Sequence, residues 1–205
     1  MKLIIQIPCL NEEATLPITL KDLPDKIEGI DCIETLVIDD GSTDKTVEVA
    51  ERHNVNHILK FTNNKGLAKA FIYGMNHALK LGADIIVNTD ADNQYFGGDI
   101  AKLIQPILEK RADIVIGNRQ VETIRHFSPI KIFLQKFGSW VVGQLSGTHI
   151  PDATSGFRAY SREAALQMNV VSDFTYTIET IISAGKKNLA IEHIPVRTNK
   201  KLRES

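Results

Sequence analysis

Five short β-branched runs, each followed by a longer segment with helical spacing, constrain this chain more than any other feature. The runs are Leu3–Ile7, Thr35–Ile38, His57–Phe61, Ile85–Thr89 and Ile114–Ile116. Between them lie Glu13–Leu23, Asp44–His53, Gly66–Leu81 and Asp99–Lys110, whose apolar residues return at three and four. Leu67, Ala70, Phe71, Met75, Ala78 and Leu79 make the clearest stripe. Strands alternating with crossover helices predict an α/β fold, a mostly parallel, Rossmann-like sheet with helices on both faces. Pro17 falls in the first turn of its helix, where proline is tolerated. Pro8 is expected to end the first strand's ladder, and Ser42 or Thr43 to cap the helix after Gly41.

After about residue 118 the rhythm changes. Gln120–Ser128 is polar and irregular, Pro129–Leu145 reads as an amphipathic helix, and Ser146–Gly156 as a loop. Helices around Arg162–Met168 and Thr177–Ala184 and a strand at Leu189–Ile194 follow. No linker-like stretch divides the chain, so residues 1–205 read as a single domain of two halves, 1–118 and 119–205. Trp140, the only tryptophan, is expected in the core or at an interface.

Composition excludes several classes. Lys+Arg 24 against Asp+Glu 25 gives −1, so no global charge draws nucleic acid. Cys9 and Cys32 lie far apart, which argues against a disulfide framework or a cysteine-built zinc site and points to the cytosol. No apolar run reaches the ~18 residues of a membrane span. No GxGxxG follows the first strand and no GxxxxGK[ST] occurs, so a Rossmann dehydrogenase and a P-loop NTPase are disfavoured. His53 and His57 stand at a helix end, where surface histidines are the ordinary reading.

In doubly wound sheets ligands sit beyond the carboxyl ends of the strands, where strand order reverses. With an order beginning 3-2-1-4, that point brings together Pro8–Glu13, Asp39-Asp40-Gly41 and Asp90–Tyr95. Asp90 and Asp92 are two apart after an apolar run, so on an extended chain both carboxylates face one way. Such a pair suits a hard divalent cation that also holds a diphosphate, and Gln94 adds an oxygen; a solvated acidic turn explains the pair equally well. Two adjacent aspartates, Asp39 and Asp40, exceed what a turn and a helix cap require.

Laid in order, these segments resemble a family 2 glycosyltransferase of the GT-A type. The nearest likeness is to the dolichol-phosphate and polyprenyl-phosphate hexosyltransferase branch. The matching stretches are Ile7–Glu13, Val37–Thr46, Asn64–Leu67, Asn88–Gln94, Gly117–Arg119 and Asp152–Arg158. The resemblance implies a nucleotide-sugar-binding half over 1–118 and an acceptor-binding half over 119–205. It places Pro8, Glu12 and Asp40 at the donor's base and ribose with Asp39 close by, counts Asn11 and Lys65 among the donor-binding residues, and sets Asp90 against the sugar nucleotide. Asp92, helped by Gln94, ligates Mg²⁺ or Mn²⁺, and Arg119 contacts the phosphates, with Arg203 as a second basic residue. Inverting transfer of a hexose from a GDP-mannose or UDP-glucose type donor is implied, with a polyprenyl or dolichyl phosphate as favoured acceptor. The alternatives are transfer to a saccharide hydroxyl, with Asp152 or Glu179 as base, a nucleotidyltransferase, and a non-catalytic nucleotide-sugar-binding module.

Charge supports a lipid-phosphate acceptor. From Arg119 to Lys136, four basic residues (Arg119, Arg125, Lys131, Lys136) face one acidic residue, Glu122. The last twenty residues carry six Lys/Arg against two Glu, a bias expected at the cytoplasmic face of a membrane. Many members of this branch continue into C-terminal transmembrane helices, so a catalytic domain lacking its C-terminal membrane region is expected.

Overall fold

The structure, a computed structural model, describes residues 1–120, 129–148, 150–171 and 175–199, without the side chains of 129–133 and 136. Seven strands form one sheet: β1 Lys2–Cys9, β2 Cys32–Asp39, β3 His57–Lys60, β4 Ile85–Asn88, β5 Ile114–Asn118, β6 Arg158–Ser161 and β7 Ile191–Pro195. Their order is β3-β2-β1-β4-β6-β5-β7, so the expected 3-2-1-4 start holds. All pairings are parallel except those of β6, which runs antiparallel between β4 and β5.

Among the described residues seven α-helices cover the sheet: α1 Leu16–Asp22, α2 Thr46–Arg52, α3 Leu67–Lys80, α4 Ile100–Leu108, α5 Pro129–Ser146, α6 Arg162–Gln167 and α7 Tyr176–Lys186. Alternating strand residues feed two cores. Ile4, Leu36, Ile38 and Ile86 pack with Phe71 and Met75 of α3, while Leu3, Ile5, Val37 and Val87 pack with Leu16, Val49 and Leu103. Each fully buried isoleucine or leucine of β1 contributes about 1.5–3 kcal/mol of burial, which is why this strand anchors the fold.

Three local expectations are corrected. Pro8 stays inside β1, opposite Ile38. Beyond Gln6, β1 pairs with β2 alone, so the proline occupies a sheet margin where its missing N–H is tolerated. Neither Ser42 nor Thr43 caps α2, which begins later, at Thr46. Ser42 Oγ instead accepts from Asn11 N at 2.9 Å, and Asp44 Oδ1 accepts from Thr46 N at 2.9 Å. Of the two places expected for Trp140, the core is overturned: it is exposed, 59%, with Leu134, Phe137 and Leu145 on α5.

Helix α3 lies very close to the sheet at Gly74. A Cβ there would stand 2.6 Å from Gln6 Oε1 and 2.8 Å from Ile38 Cδ1. Gly74→Ala is therefore expected to destabilise by about 1–3 kcal/mol through overpacking, read as a lower midpoint in urea unfolding.

Candidate active site

β1 and β4 part after Gln6 and Asn88, and a cleft of about 340 Å³ opens beyond their carboxyl ends. Pro8, Cys9, Leu10 and Glu12 form one wall and Asp90, Ala91 and Asp92 another. Asp40 and the entrance to α3, at Asn64, Gly66, Leu67 and Ala70, complete it. Three sequence-separated loops thus bring Pro8, Glu12, Asp40, Asp90 and Asp92 together.

Each wall is fixed by hydrogen bonds that the strand ends cannot supply. Asp40 is buried and caps α3: Oδ1 accepts from Lys65 N at 2.7 Å and Oδ2 from Gly66 N at 2.9 Å. Glu12 is buried, its backbone N–H bonded to Thr46 Oγ1 at 2.8 Å and its carboxylate accepting from the Thr15 hydroxyl. Asn11 takes a positive φ of 56° and its Oδ1 accepts from Thr43 N at 2.9 Å, tying the β1 and β2 loops together from outside the cleft. Asp39 lies behind the wall, fully buried; its Oδ1 accepts from Ser42 N at 3.3 Å, while Oδ2 has no hydrogen-bond partner among the described residues. Lys65 points away, its ammonium 4.8 Å from the Phe61 ring centroid and 5.1 Å from that of Tyr73.

Asp92 and Gln94 form a local turn. Asp92 Oδ1 accepts from Gln94 N at 3.1 Å and Oδ2 from Gln94 Nε2 at 2.5 Å, so Gln94 presents its amide N–H to the carboxylate. Burial, and next the facing Asp92 carboxylate, push the Asp90 carboxyl up to about 7, against the pull of Arg119. The two carboxylates offer this cleft oxygen ligands of the kind Mg²⁺ or Mn²⁺ takes, with water and substrate oxygens completing the shell, since no group of three or more acidic, histidine or cysteine side chains gathers at one point among the described residues.

The raised Asp90 has a measurable consequence. Its folded-state value lies above the unfolded value of 3.8, so the folded protein binds the extra proton between about pH 4 and 7. Without a cation, stability is expected to fall as pH rises through that window, and Asp90→Asn to remove this dependence. Urea unfolding at successive pH values measures it.

Arg119 follows β5 and is clamped by Asp152. Nε donates to Oδ2 at 2.8 Å and Nη2 to Oδ1 at 2.9 Å, while Nη2 also reaches Thr154 Oγ1 at 2.7 Å. Burial opposes the arginine's charge, but the bonds and charge of Asp152 outweigh it and hold its pKa above the ordinary value. Burial also opposes ionisation of Asp152, yet Arg119 holds that carboxyl below the ordinary range. Among the described residues no bond occupies Nη1 of Arg119. Glu179 accepts from Val171 N at 2.7 Å and lines a separate groove beside α7. Arg203 and Arg125 lie outside the described residues, as do the side chains of Lys131 and Lys136.

Residues 4–167 match the family model described as glycosyl transferase family 2. The chain belongs to that family. The glycosyltransferase is 30% identical over 218 residues to a UDP-N-acetylglucosamine--dolichyl-phosphate N-acetylglucosaminyltransferase of Methanococcus voltae, spanning 94% of this chain and 83% of that protein. It is 27% identical over 206 residues to an undecaprenyl-phosphate mannosyltransferase of Micrococcus luteus, covering 96% and 83%. Its fold is GT-A: glucosyl-3-phosphoglycerate synthase from Mycobacterium tuberculosis, solved with Mn²⁺, UDP and glucosyl-3-phosphoglycerate, superposes with a TM-score of 0.76. That likeness has 18% identity and covers 100% of this chain and 73% of the synthase.

Behind the cleft the glycosyltransferase carries a polar layer that sequence reasoning missed. Gln6 Nε2 donates to Asn88 Oδ1 at 2.9 Å, and Asn88 Nδ2 donates to Gly156 O at 2.9 Å and Tyr176 Oη at 3.1 Å. Gly156 N donates to Tyr95 Oη at 3.0 Å. A Cβ on Gly156 would lie 3.0 Å from Asp90 Oδ1 and 3.0 Å from Tyr176 Oη, so a side chain there would press on the carboxylate. Residues 196–199 return beside the same loop: Asn199 N donates to Gln94 O at 2.8 Å, and Arg197 Nη2 pairs with Asp99 Oδ1 at 2.7 Å. The available sequence signals were Asn88 inside an apolar strand and the Asp152–Arg158 stretch.

Proposed function

We propose that this glycosyltransferase moves a hexose from a nucleotide sugar to the phosphate of a polyprenyl phosphate, with inversion and with a divalent cation. The observation that carries the reading is the convergence of Asp40, Glu12, Asp90 and Asp92 on one cleft at the switch point of the sheet. Asp40 and Glu12 would take the base and ribose, and Asp92 with Asp90 would hold Mg²⁺ or Mn²⁺. Such a cation offsets charge on a diphosphate.

An acceptor phosphate oxygen attacks the anomeric carbon as the bond to the diphosphate oxygen breaks, and negative charge builds on the leaving diphosphate. Arg119, held by Asp152, supplies a fixed cation for that charge. A phosphate monoester needs no general base, because its second pKa of ~6 leaves it largely ionised at pH 7. A hydroxyl acceptor would need one. Asp152 is committed to Arg119 and Glu179 lines another groove, which favours the phosphate acceptor. The exposed apolar side chains of α5 and the lysines of the same helix suit the surface of an anionic membrane. Among the described residues no helix is long and apolar enough to cross one.

Calorimetric titration with UDP and GDP, with and without Mn²⁺, tests the donor half of this reading. Tighter binding of one of them in the presence of the cation is expected. Binding of neither contradicts the assignment.

A further inference from the structure

Arg158, the first residue of β6, is fully buried and makes no hydrogen bond or ion pair to a carboxylate among the described residues, although its charge is felt weakly at Asp90. Its hydrogen bonds all go to neutral oxygens. Nε donates to Ser155 O at 2.7 Å, Nη2 to Ala153 O at 2.8 Å, and Nη1 to Thr177 O at 2.8 Å and Thr180 Oγ1 at 2.9 Å. A buried cation with neutral partners is costly, and an apolar residue in a central strand would avoid that cost. The arrangement therefore has to be understood from what the guanidinium holds.

It holds a loop that no strand ladder supports. Besides the two carbonyls on Arg158, Ala153 N donates to Ser139 Oγ at 3.0 Å, Gly156 N to Tyr95 Oη, and Gly156 O accepts from Asn88. Residues 153–156 are thus shaped by side chains from four different parts of the chain: Asn88, Tyr95, Ser139 and Arg158. Asp152 and Thr154 of this loop grip Arg119, and the Thr154 hydroxyl also donates to Asp152 Oδ1 at 3.1 Å. The third grip is on α7, through the Thr177 carbonyl and the Thr180 hydroxyl.

We propose that Arg158 is a positioning residue for Arg119: its planar fork fixes the 153–156 loop against α7, and the loop aims the Arg119 guanidinium at the donor diphosphate. This rests on the reading of Arg119 given above. A lysine at 158 keeps the charge but offers its donors from one point, and cannot reach the carbonyls of 153, 155 and 177 together.

The test is a double-mutant cycle in the full chain with Arg119→Lys, Arg158→Lys and the pair. UDP, GDP and the corresponding monophosphates are titrated in the presence of Mn²⁺, and thermal unfolding is recorded for each variant. The readout is the ratio of diphosphate to monophosphate affinity, which a general loosening of the fold leaves unchanged. Arg119→Lys is expected to lower that ratio about tenfold, as loss of a charge-assisted contact from Nη1 does. Arg158→Lys should lower it about five- to tenfold, and the double variant little beyond Arg119→Lys alone.

An unchanged ratio in Arg158→Lys, or losses that multiply in the double variant, overturns the positioning role. An unchanged ratio in Arg119→Lys overturns the reading on which it rests. Should Arg158→Lys fail to fold, Thr180→Val removes one of the four bonds without touching a charge. A loss of about two- to threefold, again absent in the Arg119→Lys background, is then expected, and its absence is equally decisive against the proposal.

Discussion

Asp92→Ala is expected to abolish the cation-dependent part of donor binding and to slow transfer by at least about 10²–10³-fold, the several kcal/mol that a metal contributes at a developing phosphate charge. The fold should survive, because the hydrogen bonds made by its carboxylate stay within its own turn, to Gln94 N and Nε2. No deeply buried donor is stranded when they go. Asp90 should also titrate lower in this variant, since the Asp92 charge is the second largest cause of its raised value. Calorimetry with Mn²⁺, alongside urea unfolding, measures both consequences. Full donor affinity in Asp92→Ala would remove the metal assignment.

Asp152→Ala should act on stability as strongly as Asp92→Ala acts on chemistry. The Asp152 side chain is 2% exposed and that of Arg119 16%, so the pair is screened little by solvent. Removing the carboxylate leaves a buried guanidinium without its counter-ion, the donors Arg119 N and Nε without an acceptor, and Nη2 with Thr154 alone. Breaking such a pair costs about 3–5 kcal/mol, visible as a large fall in the urea midpoint. The pH dependence has a fixed sign. Because the folded Asp152 carboxyl is held below its ordinary value of 3.8, the pair's contribution is complete above that value and lost as pH falls through the lowered one. Asp152→Ala should lack that acid-side loss. A variant as stable as the parent at neutral pH would show that the pair is merely decorative.

The first half of the chain was readable because each strand there is parallel, β-branched and followed by its own helix. Strand order, the switch point and the loops that meet there all follow from that rhythm. The second half broke it. β6 is four residues long, begins with a buried arginine and runs antiparallel, so neither periodicity nor composition marks Arg158–Ser161 as a strand. Of the donor residues expected from the resemblance, Pro8, Glu12, Asp40, Asp90 and Asp92 line one cleft. Asn11, Asp39 and Lys65 do not: the first two bond to the loop after β2, and the Lys65 ammonium lies by the rings of Phe61 and Tyr73. Trp140 shows the limit of composition: tryptophan is highly buried on average, yet α5 turns this one outward beside Phe137, away from the core, one of its two expected places. Long-range side-chain clamps, such as Asn88 on Gly156, leave no periodic trace at all.

The most direct test of the central reading is transfer itself. The protein would be incubated with labelled UDP-N-acetylglucosamine, UDP-glucose or GDP-mannose and undecaprenyl phosphate in detergent, with Mn²⁺ or with EDTA. The expected result is a labelled lipid-linked sugar from one donor, formed with Mn²⁺ and absent with EDTA. A labelled product on an added saccharide and none on the lipid phosphate, or lipid product formed equally well in EDTA, would contradict it.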